Sequence, residues 1–389
     1  MSLYKLYCRA FQTCMKIGAA FLPWGDPVLL TSTGTLSQHI KAKKISRVLI
    51  VTDQGIVHLG LLETLLKTLK EQHIAAAMYD QTQPNPTVEN IGQARKLYLE
   101  QNCQAIIGFG GGSPMDCAKL VGARIARPRK PLLKMRGLFK VLKKLPPVFC
   151  VPTTAGTGAE TTIAAVFMDP AKQVKLPVMD PFCLRPAIMV LDPKLTVSLP
   201  PHLTATTGMD ALTHAVEAYI GRSNTKKTKA KALEAAKLIF SNIELAYADG
   251  KNLIARENMM MAARAAGTAF TRAYVGNVHA IAHALGAFYN VPHGFANAVI
   301  MPYVLDFYGE KTSDKLAELS SAAGISGDFV AAIRAMNERM GIPATFGCIK
   351  EEDIPALVAH ALKEANPLYP VPVIMNKTQC AALIKQMMD

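Results

Sequence analysis

The sequence predicts a doubly wound α/β domain with a mostly parallel sheet, followed by an all-α domain. Three observations carry this. From residue 28 to about 200, short β-branched runs alternate with stretches of helical periodicity, the rhythm of βαβ units. Near Ser198-Leu199-Pro200-Pro201 that rhythm stops. Beyond it come long Ala-, Met- and Leu-rich helical patterns with no strand alternation. At 389 residues the chain has the length of two domains. The expected division is an N-terminal extension over 1–27, a dinucleotide-binding α/β domain over 28–200, and a helical catalytic domain over 201–389.

The elements follow in order. Leu3, Leu6, Tyr7, Ala10, Phe11, Cys14, Gly18 and Phe21 recur at helical spacing, with Lys5, Arg9, Gln12 and Lys16 mostly opposite. This predicts a basic amphipathic helix that ends before Pro23 and packs on the protein or on a second subunit. A membrane surface or an organellar presequence are the other uses of such a segment. Arg47–Asp53 reads as a strand, Leu59–Glu71 as a helix and Ala75–Asp80 as a strand. Pro86-Thr87 opens a helix reaching about Asn102, and Ala105–Phe109 is a short apolar strand of the buried parallel type. Val148–Thr153 and Ile188–Leu191 read as further strands. The later helices are expected at about 203–221, 226–248, 251–273, 277–289 and 293–308, with more to the end.

Composition narrows the function. Half the residues are hydrophobic and 19% are charged, enough for a large core. No apolar run approaches the ~18 residues of a membrane span. The eight cysteines are scattered without a Cys-x-x-Cys, which argues for reduced thiols in a cytoplasmic protein. The formal charge of +14 is uneven: Arg124–Lys144 holds nine Lys/Arg and no acid, and Arg222–Lys231 adds five more. Neither run interleaves aromatics for base stacking, so no specific nucleic-acid partner is expected and solvated basic loops are the plainer reading.

Two turns carry binding chemistry. The strand Ala105–Phe109 runs into Gly110-Gly111-Gly112-Ser113-Pro114-Met115-Asp116. The glycines permit a sharp turn and close approach, Ser113 suits a helix N-cap, Pro114 suits the first helical position, and Asp116 stands three after the cap. The product is an anion site at a helix N-terminus. Pro152-Thr153-Thr154-Ala155-Gly156-Thr157-Gly158 also leaves a strand and offers hydroxyls and N–H groups to a diphosphate. Two such loops at neighbouring strand ends match the ligand edge of a parallel sheet. Asp53, ending an earlier strand, is placed to accept from a ribose 2′-hydroxyl and to repel a 2′-phosphate, which favours NAD over NADP; a turn-capping Asp is the plainer alternative.

Three of the nine histidines cluster in Asn277–Gly294. His279 and His283 are four apart on a predicted helix, so both rings leave one face. Pro292-His293-Gly294 then offers a third imidazole. Upstream, Asp210 and His214 form a second i,i+4 pair. Two such pairs and a His-Gly turn are able to converge on one divalent ion such as Fe²⁺ or Zn²⁺.

Taken together, Gly208–Ala215, His279–Gly294, Gly110–Pro114 and Pro152–Gly158 resemble the iron-containing (group III) alcohol dehydrogenase family. The resemblance runs from about residue 28 to the end. It implies a dehydroquinate synthase-like architecture and an NAD(P)-linked interconversion of an alcohol with an aldehyde or ketone, at a metal in the cleft between the domains. It implies metal ligands at Asp210, His214, His279 and His293, with His283 lining the active site as a non-ligand. Cofactor contacts would fall on Asp53, Gly110, Gly111, Gly112, Ser113, Asp116, Thr153, Thr154 and Lys175, and Phe270 would line the substrate pocket. A homodimer is the expected assembly. Departures are the N-terminal extension, the basic segment 124–144, and Arg272 near the pocket aromatic.

The chemistry such an ion supplies is Lewis-acid polarisation of a substrate oxygen, with hydride passing to or from nicotinamide C4. His283 would relay the alcohol proton. Two other classes remain to be tested: a dehydroquinate synthase-like lyase using metal and NAD without net NADH production, and a basic binding protein with a structural metal.

Overall fold

The structure is a computed structural model and describes residues 3–169 and 174–389. The chain divides into two compact units. One is residues 22–199; the other joins residues 1–21 to 200–389. Helix α1 (Leu3–Ala20) therefore belongs with the C-terminal half.

The N-terminal unit holds β1 (Val28–Leu30), α2 (Thr33–Ala42), β2 (Arg47–Val51), α3 (Gln54–His58), α4 (Glu63–Glu71), β3 (Ala75–Tyr79), α5 (Val88–Glu100), β4 (Ala105–Gly110) and α6 (Gly112–Ala126). After these come β5 (Gly137–Leu138), β6 (Val148–Pro152), β7 (Ala164–Asp169), β8 (Val174–Met179) and β9 (Ile188–Val190). Six strands form one sheet in the order β1-β9-β6-β4-β2-β3, and every pairing is parallel. Alternate residues of β2 serve opposite faces. Val48 and Ile50 pack with Leu36, Ile40, Leu65 and Leu69 from α2 and α4. Leu49 and Val51 pack with Ile91, Ala94 and Leu120 from α5 and α6. Helices thus cover both faces, as the buried, near-continuous apolar strands require.

Several expectations shift. The helix expected over Leu59–Glu71 begins later, as α4 at Glu63, and a short α3 precedes it; Gly60 adopts φ +67° between the two. Thr87 caps α5, its hydroxyl accepting from the Asn90 N–H while the Asn90 side chain accepts from the Thr87 N–H. Strands β7 and β8, absent from the sequence reading, pair antiparallel and form a second sheet with β5. Pro177 and Lys175 within β8 disguise it.

In the C-terminal unit, α7 (Pro201–Ile220), α8 (Lys226–Ala248), α9 (Leu253–Ala273), α10 (Asn277–Tyr289) and α11 (His293–Tyr308) match the expected helical runs. α12 (Ser313–Ala323), α13 (Phe329–Arg339), α14 (Ile354–Ala365) and α15 (Lys377–Gln386) complete it. No strand occurs there among the described residues beyond an isolated bridge of Phe346 with Met388. No described helix is long and apolar enough to cross a membrane. All eight cysteines are free thiols.

Helix α1 docks through the side that carries its polar residues. Arg9 donates to the Val371 and Pro372 carbonyls at 2.7 and 2.8 Å. Gln12 Nε2 donates to the Tyr369 carbonyl at 2.7 Å. Cys8 and Gln12 are its buried residues, while Leu3, Leu6, Tyr7 and Phe21 are exposed. The helix packs on its own chain, but with the stripe reversed, because the segment 367–372 presents carbonyls that need donors.

Candidate active site

The metal-binding cluster is built from three helices of the C-terminal unit. Helix α7 has Pro at its first position and is buried on nearly every side over Gly208–Ile220, so Asp210 and His214 project together from a rigid element. α10 carries His279 and His283, and α11 begins at His293. Gly294 explains how α11 comes so close: a Cβ there would collide with the Thr206 carbonyl oxygen on α7, well inside van der Waals contact. Only glycine allows that backbone approach, which sets the His293 ring beside Asp210.

One ligand atom from each of Asp210, His214, His279 and His293 lies within 4.8 Å of all the others. Nitrogens of the three rings stand 3.5–3.9 Å from Asp210 Oδ1. These gaps are long for hydrogen bonds. Ligands ~2.1 Å from a common tetrahedral centre stand roughly 3.4 Å apart, so the spacing suits one shared cation. The donor set of one carboxylate and three imidazoles fits Fe²⁺ or Zn²⁺.

Two residues that sequence reasoning missed, Glu217 and Asn297, hold this cluster, and a third, Glu364, holds His283 beside it. Glu217 on α7 faces His279: its Oε2 lies 2.6 Å from Nδ1 and accepts from the Gly276 N–H at 2.8 Å. Its Oε1 accepts from the Val278 N–H at 2.7 Å. This leaves His279 Nε2 as the atom turned to the cluster. Burial pushes the Glu217 carboxyl up to about 8. Burial, then the neighbouring rings of His214, His293 and His283, holds the His279 pKa well below its usual value, so its ring is neutral as a ligand must be. Asn297 on α11 donates to Asp210 Oδ1 at 2.7 Å. Glu364 on α14 lies 2.5 Å from His283 Nδ1 and accepts from the Tyr369 hydroxyl at 2.7 Å.

His283 lies outside the quartet but next to it. Its ring stacks on His293 with centroids 5.0 Å apart and meets His279 edge-on at 6.0 Å. Phe270 on α9 stacks on His214, with ring centroids 4.0 Å apart and planes at 14°. It thus walls the cluster with an apolar face. Arg272 is half-buried nearby on the same helix.

The cofactor-type residues lie in the N-terminal unit, at the carboxyl ends of β2, β4 and β6. β3 lies on one side of β2 and β4 on the other, so strand order reverses there and opens the crevice that ligands use in such sheets. Asp53 follows β2 as a turn-capping residue. Its Oδ1 accepts from the Ile56 N–H and caps α3. Its Oδ2 lies 3.5 Å from where a Gly110 Cβ would stand. Gly110 adopts φ +141°, and the Thr153 N–H donates to its carbonyl at 3.0 Å. Gly111 and Gly112 face Thr154 and Thr157 at 3.8 and 3.1 Å from their absent Cβ positions. The glycines therefore let the first loop's backbone rest directly on the threonine side chains of the second.

Two expectations at this turn are corrected. The N-cap of α6 is Gly111, not Ser113, and Pro114 follows inside the first turn. Ser113 Oγ accepts from the Asn85 N–H at 3.1 Å, joining the turn to the loop before α5. Asp116 is half-buried, and its Oδ2 accepts from the Val166 N–H of β7 at 2.9 Å. Lys175 sits on β8 opposite Met168, in the small second sheet. A further residue missed by sequence is Lys119 of α6. It is fully buried, and its Nζ donates to the carbonyls of Ala159, Thr162 and Ala164 and to the Thr162 hydroxyl. It fixes the far end of the threonine loop to the helix behind the glycines.

Comparison with known proteins agrees with this geometry. Residues 30–193 match the iron-containing alcohol dehydrogenase profile, and residues 204–388 match the C-terminal profile of the Fe-containing alcohol dehydrogenase family. The chain is 37% identical over 371 residues to alcohol dehydrogenase 4 of Saccharomyces cerevisiae, covering 92% of this chain and 96% of that one. It is 37% identical over 374 residues to 1,3-propanediol dehydrogenase of Klebsiella pneumoniae, covering 92% and 95%. A crystal structure of 1,3-propanediol oxidoreductase superposes with a TM-score of 0.89 at 34% identity, over 94% of this chain and 100% of that one. Sulfoacetaldehyde reductase from Bifidobacterium kashiwanohense, solved in complex with NAD⁺, superposes with a TM-score of 0.85 at 25% identity, over 94% and 98%. The chain belongs to the iron-containing alcohol dehydrogenase family and is an alcohol oxidoreductase.

Proposed function

We propose that the chain interconverts a short-chain alcohol with its aldehyde, with NAD as hydride carrier and iron as resident metal. The observation that carries this reading is the quartet Asp210, His214, His279 and His293, whose ligand atoms lie within 4.8 Å of one another. Relatives named 1,3-propanediol dehydrogenase and lactaldehyde reductase favour small polar substrates.

When bound, the divalent ion supplies Lewis-acid stabilisation of charge on the substrate oxygen. The protein's own groups do the rest. Glu217 keeps the His279 ring in one tautomer and orientation. Phe270 and the buried helices keep water from the reacting carbon. His283, backed by Glu364, passes the alcohol proton outward, with Tyr369 hydrogen-bonded to Glu364 behind it. The Gly110–Gly112 turn and Thr153-Thr154 receive the pyrophosphate on backbone N–H groups and hydroxyls. Ser113, Asp116 and Lys175 are the remaining cofactor contacts of this reading. Asp53 accepts from the adenosine ribose and disfavours a 2′-phosphate.

In domain terms, 28–200 binds the dinucleotide, 201–389 carries the metal and the chemistry, and 1–27 is an extension to the helical part. Homodimerisation and a cytoplasmic setting complete the proposal, the latter supported by eight free thiols.

The test is absorbance at 340 nm with NAD and a panel of alcohols, with and without added Fe²⁺ or Zn²⁺. Metal-dependent NADH formation is expected, abolished in His279→Ala together with bound metal. Turnover indifferent to metal, or a fully loaded His279→Ala protein, would sink the assignment.

A further inference from the structure

The segment between α6 and β6 has no part in the site described above, yet it is elaborately built. Its two inner arginines hold it together. Arg124 donates to the Arg127, Pro128 and Lys130 carbonyls, and Arg127 donates to those of Val141 and Leu142. Lys130 Nζ reaches the Lys140 carbonyl at 2.7 Å. From the other side, Asp180 Oδ2 accepts the N–H groups of Val141 and Leu142. These bonds hold Phe139 and Leu142 at φ +57° and +44°, a region side-chain-bearing residues avoid.

What this frame displays is unusual for a solvated loop. Arg129, Lys134, Arg136, Lys140, Lys143 and Lys144 are exposed, and none has a side-chain hydrogen bond or ion pair among the described residues. Beside them Leu133, Phe139, Leu142 and Phe182 are 37–57% exposed, with the Phe139 and Phe182 rings 6.0 Å apart. A cavity of about 660 Å³ opens among Arg127, Arg129, Lys134, Phe139, Lys140 and Lys143. Unpaired cations alone fit any polyanion. Cations interspersed with exposed aliphatic and aromatic side chains fit a surface that is anionic at its face and apolar just beneath. A nucleic acid offers no apolar layer to Leu133 or Leu142.

We propose that residues 127–144, with Phe182, dock this enzyme on an anionic phospholipid bilayer. The lysines and arginines meet the headgroups, a lipid phosphate seats in the cavity, and Phe139, Leu142 and Phe182 enter the acyl boundary. The contact is peripheral and reversible, and it is weakened by salt because exposed charges are screened within ~10 Å at 0.1 M.

Flotation of the full chain with vesicles tests this. Wild type is expected to float with phosphatidylcholine vesicles containing phosphatidylglycerol, and not with phosphatidylcholine alone. Lys134→Glu, Lys140→Glu and Lys143→Glu together should lower the partition coefficient at least ~100-fold, since each lysine near such a surface contributes about fivefold. Leu142→Ser with Phe182→Ser should lower it roughly tenfold while leaving all charges in place. Metal-dependent alcohol oxidation without vesicles should be unchanged in both variants, which shows that each is folded. Equal flotation with both vesicle types overturns the proposal, as does undiminished flotation of the triple variant. Unchanged flotation of the serine pair, with equally tight retention of duplex DNA on a filter, also overturns it and makes the loop a general polyanion site.

Discussion

Glu217→Gln isolates what holds the metal site in shape. The carboxylate has three bonding partners on two oxygens: Oε2 takes Gly276 N–H and His279 Nδ1, and Oε1 takes Val278 N–H. A glutamine keeps the size but has one acceptor oxygen and one NH₂. If its oxygen stands at the Oε2 position, the NH₂ confronts the Val278 N–H. If the amide is reversed, the NH₂ confronts both the Gly276 N–H and His279 Nδ1. The ring must then carry its proton on Nε2, the atom turned to the metal. Neither choice is free. A buried donor facing a donor costs about 1–3 kcal/mol, and His279 Nδ1 loses its paired oxygen or has it turned away. Loss of such a carboxylate partner typically weakens metal binding ~10–100-fold, or about 1.4–2.7 kcal/mol.

Two assays read these separately. Chelator-buffered titration with Zn²⁺ or anaerobic Fe²⁺ gives the affinity, and scanning calorimetry of the metal-free protein gives the cost to the fold. We expect at least about a tenfold weaker metal affinity and a metal-free Tm lowered by a few degrees. Glu217→Ala should be worse on both counts, since it also abandons the two N–H groups at the start of α10. A Glu217→Gln protein with wild-type affinity would refute the reasoning, because the His279 tautomer would then not depend on this carboxylate.

Other predictions follow from single contacts. Gly294→Ala drives a methyl into the Thr206 carbonyl oxygen, so α11 must move off α7; metal content after dialysis should fall while the far-UV circular dichroism stays helical. His283→Ala should retain its metal but lose roughly 10²-fold in kcat, most at low pH in the aldehyde-reducing direction; loss of metal instead would make His283 a ligand. Burial raises the Asp116 pKa to about 6, against the opposing pull of Lys119 and of the Val166 N–H. The folded state therefore holds this proton more tightly than the unfolded chain. The resulting stability is fully present below about pH 4 and is lost as the pH rises to about 6, a contribution of roughly 3 kcal/mol. In urea titrations at pH 4 and pH 7, Asp116→Asn should lose less stability across that interval than wild type, and parallel behaviour of the two proteins would contradict it.

How much of this was legible in the sequence depends on whether the cause was local. Helical spacing puts Asp210 with His214 and His279 with His283 on shared faces, and the His-Gly turn adds His293; that His283 stands outside the quartet came only from the family resemblance. Glu217 had a readable signal that went unused. Asp210, His214 and Glu217 stand at i, i+4 and i+7, one continuous stripe of α7. Asn297 likewise follows His293 by four. The doubly wound sheet was legible from its apolar runs, but β8 was not, since its partner β7 supplies the pairing that Pro177 would argue against. Ser113 was misjudged as a cap because three glycines in a row leave the chain free to enter the helix earlier, at Gly112.

The N-terminal helix shows the limit most plainly. Its periodicity correctly gave a helix, and the usual rule that the apolar stripe faces inward gave the wrong face. What decides its seating is 355 or more residues away: the carbonyls of Pro367, Tyr369, Val371 and Pro372, which take donors from Arg9 and Gln12. Tyr369 bonds in turn to Glu364, the partner of His283. The apolar stripe of a helix records only which of its own faces loses water most readily. It carries no information about unsatisfied carbonyls elsewhere in the chain, and a buried carbonyl left without a donor costs as much as a buried leucine gains. The polar face of α1 wins because it brings donors to the Pro367, Val371 and Pro372 carbonyls, and a second donor to that of Tyr369, which also accepts from the Val371 N–H.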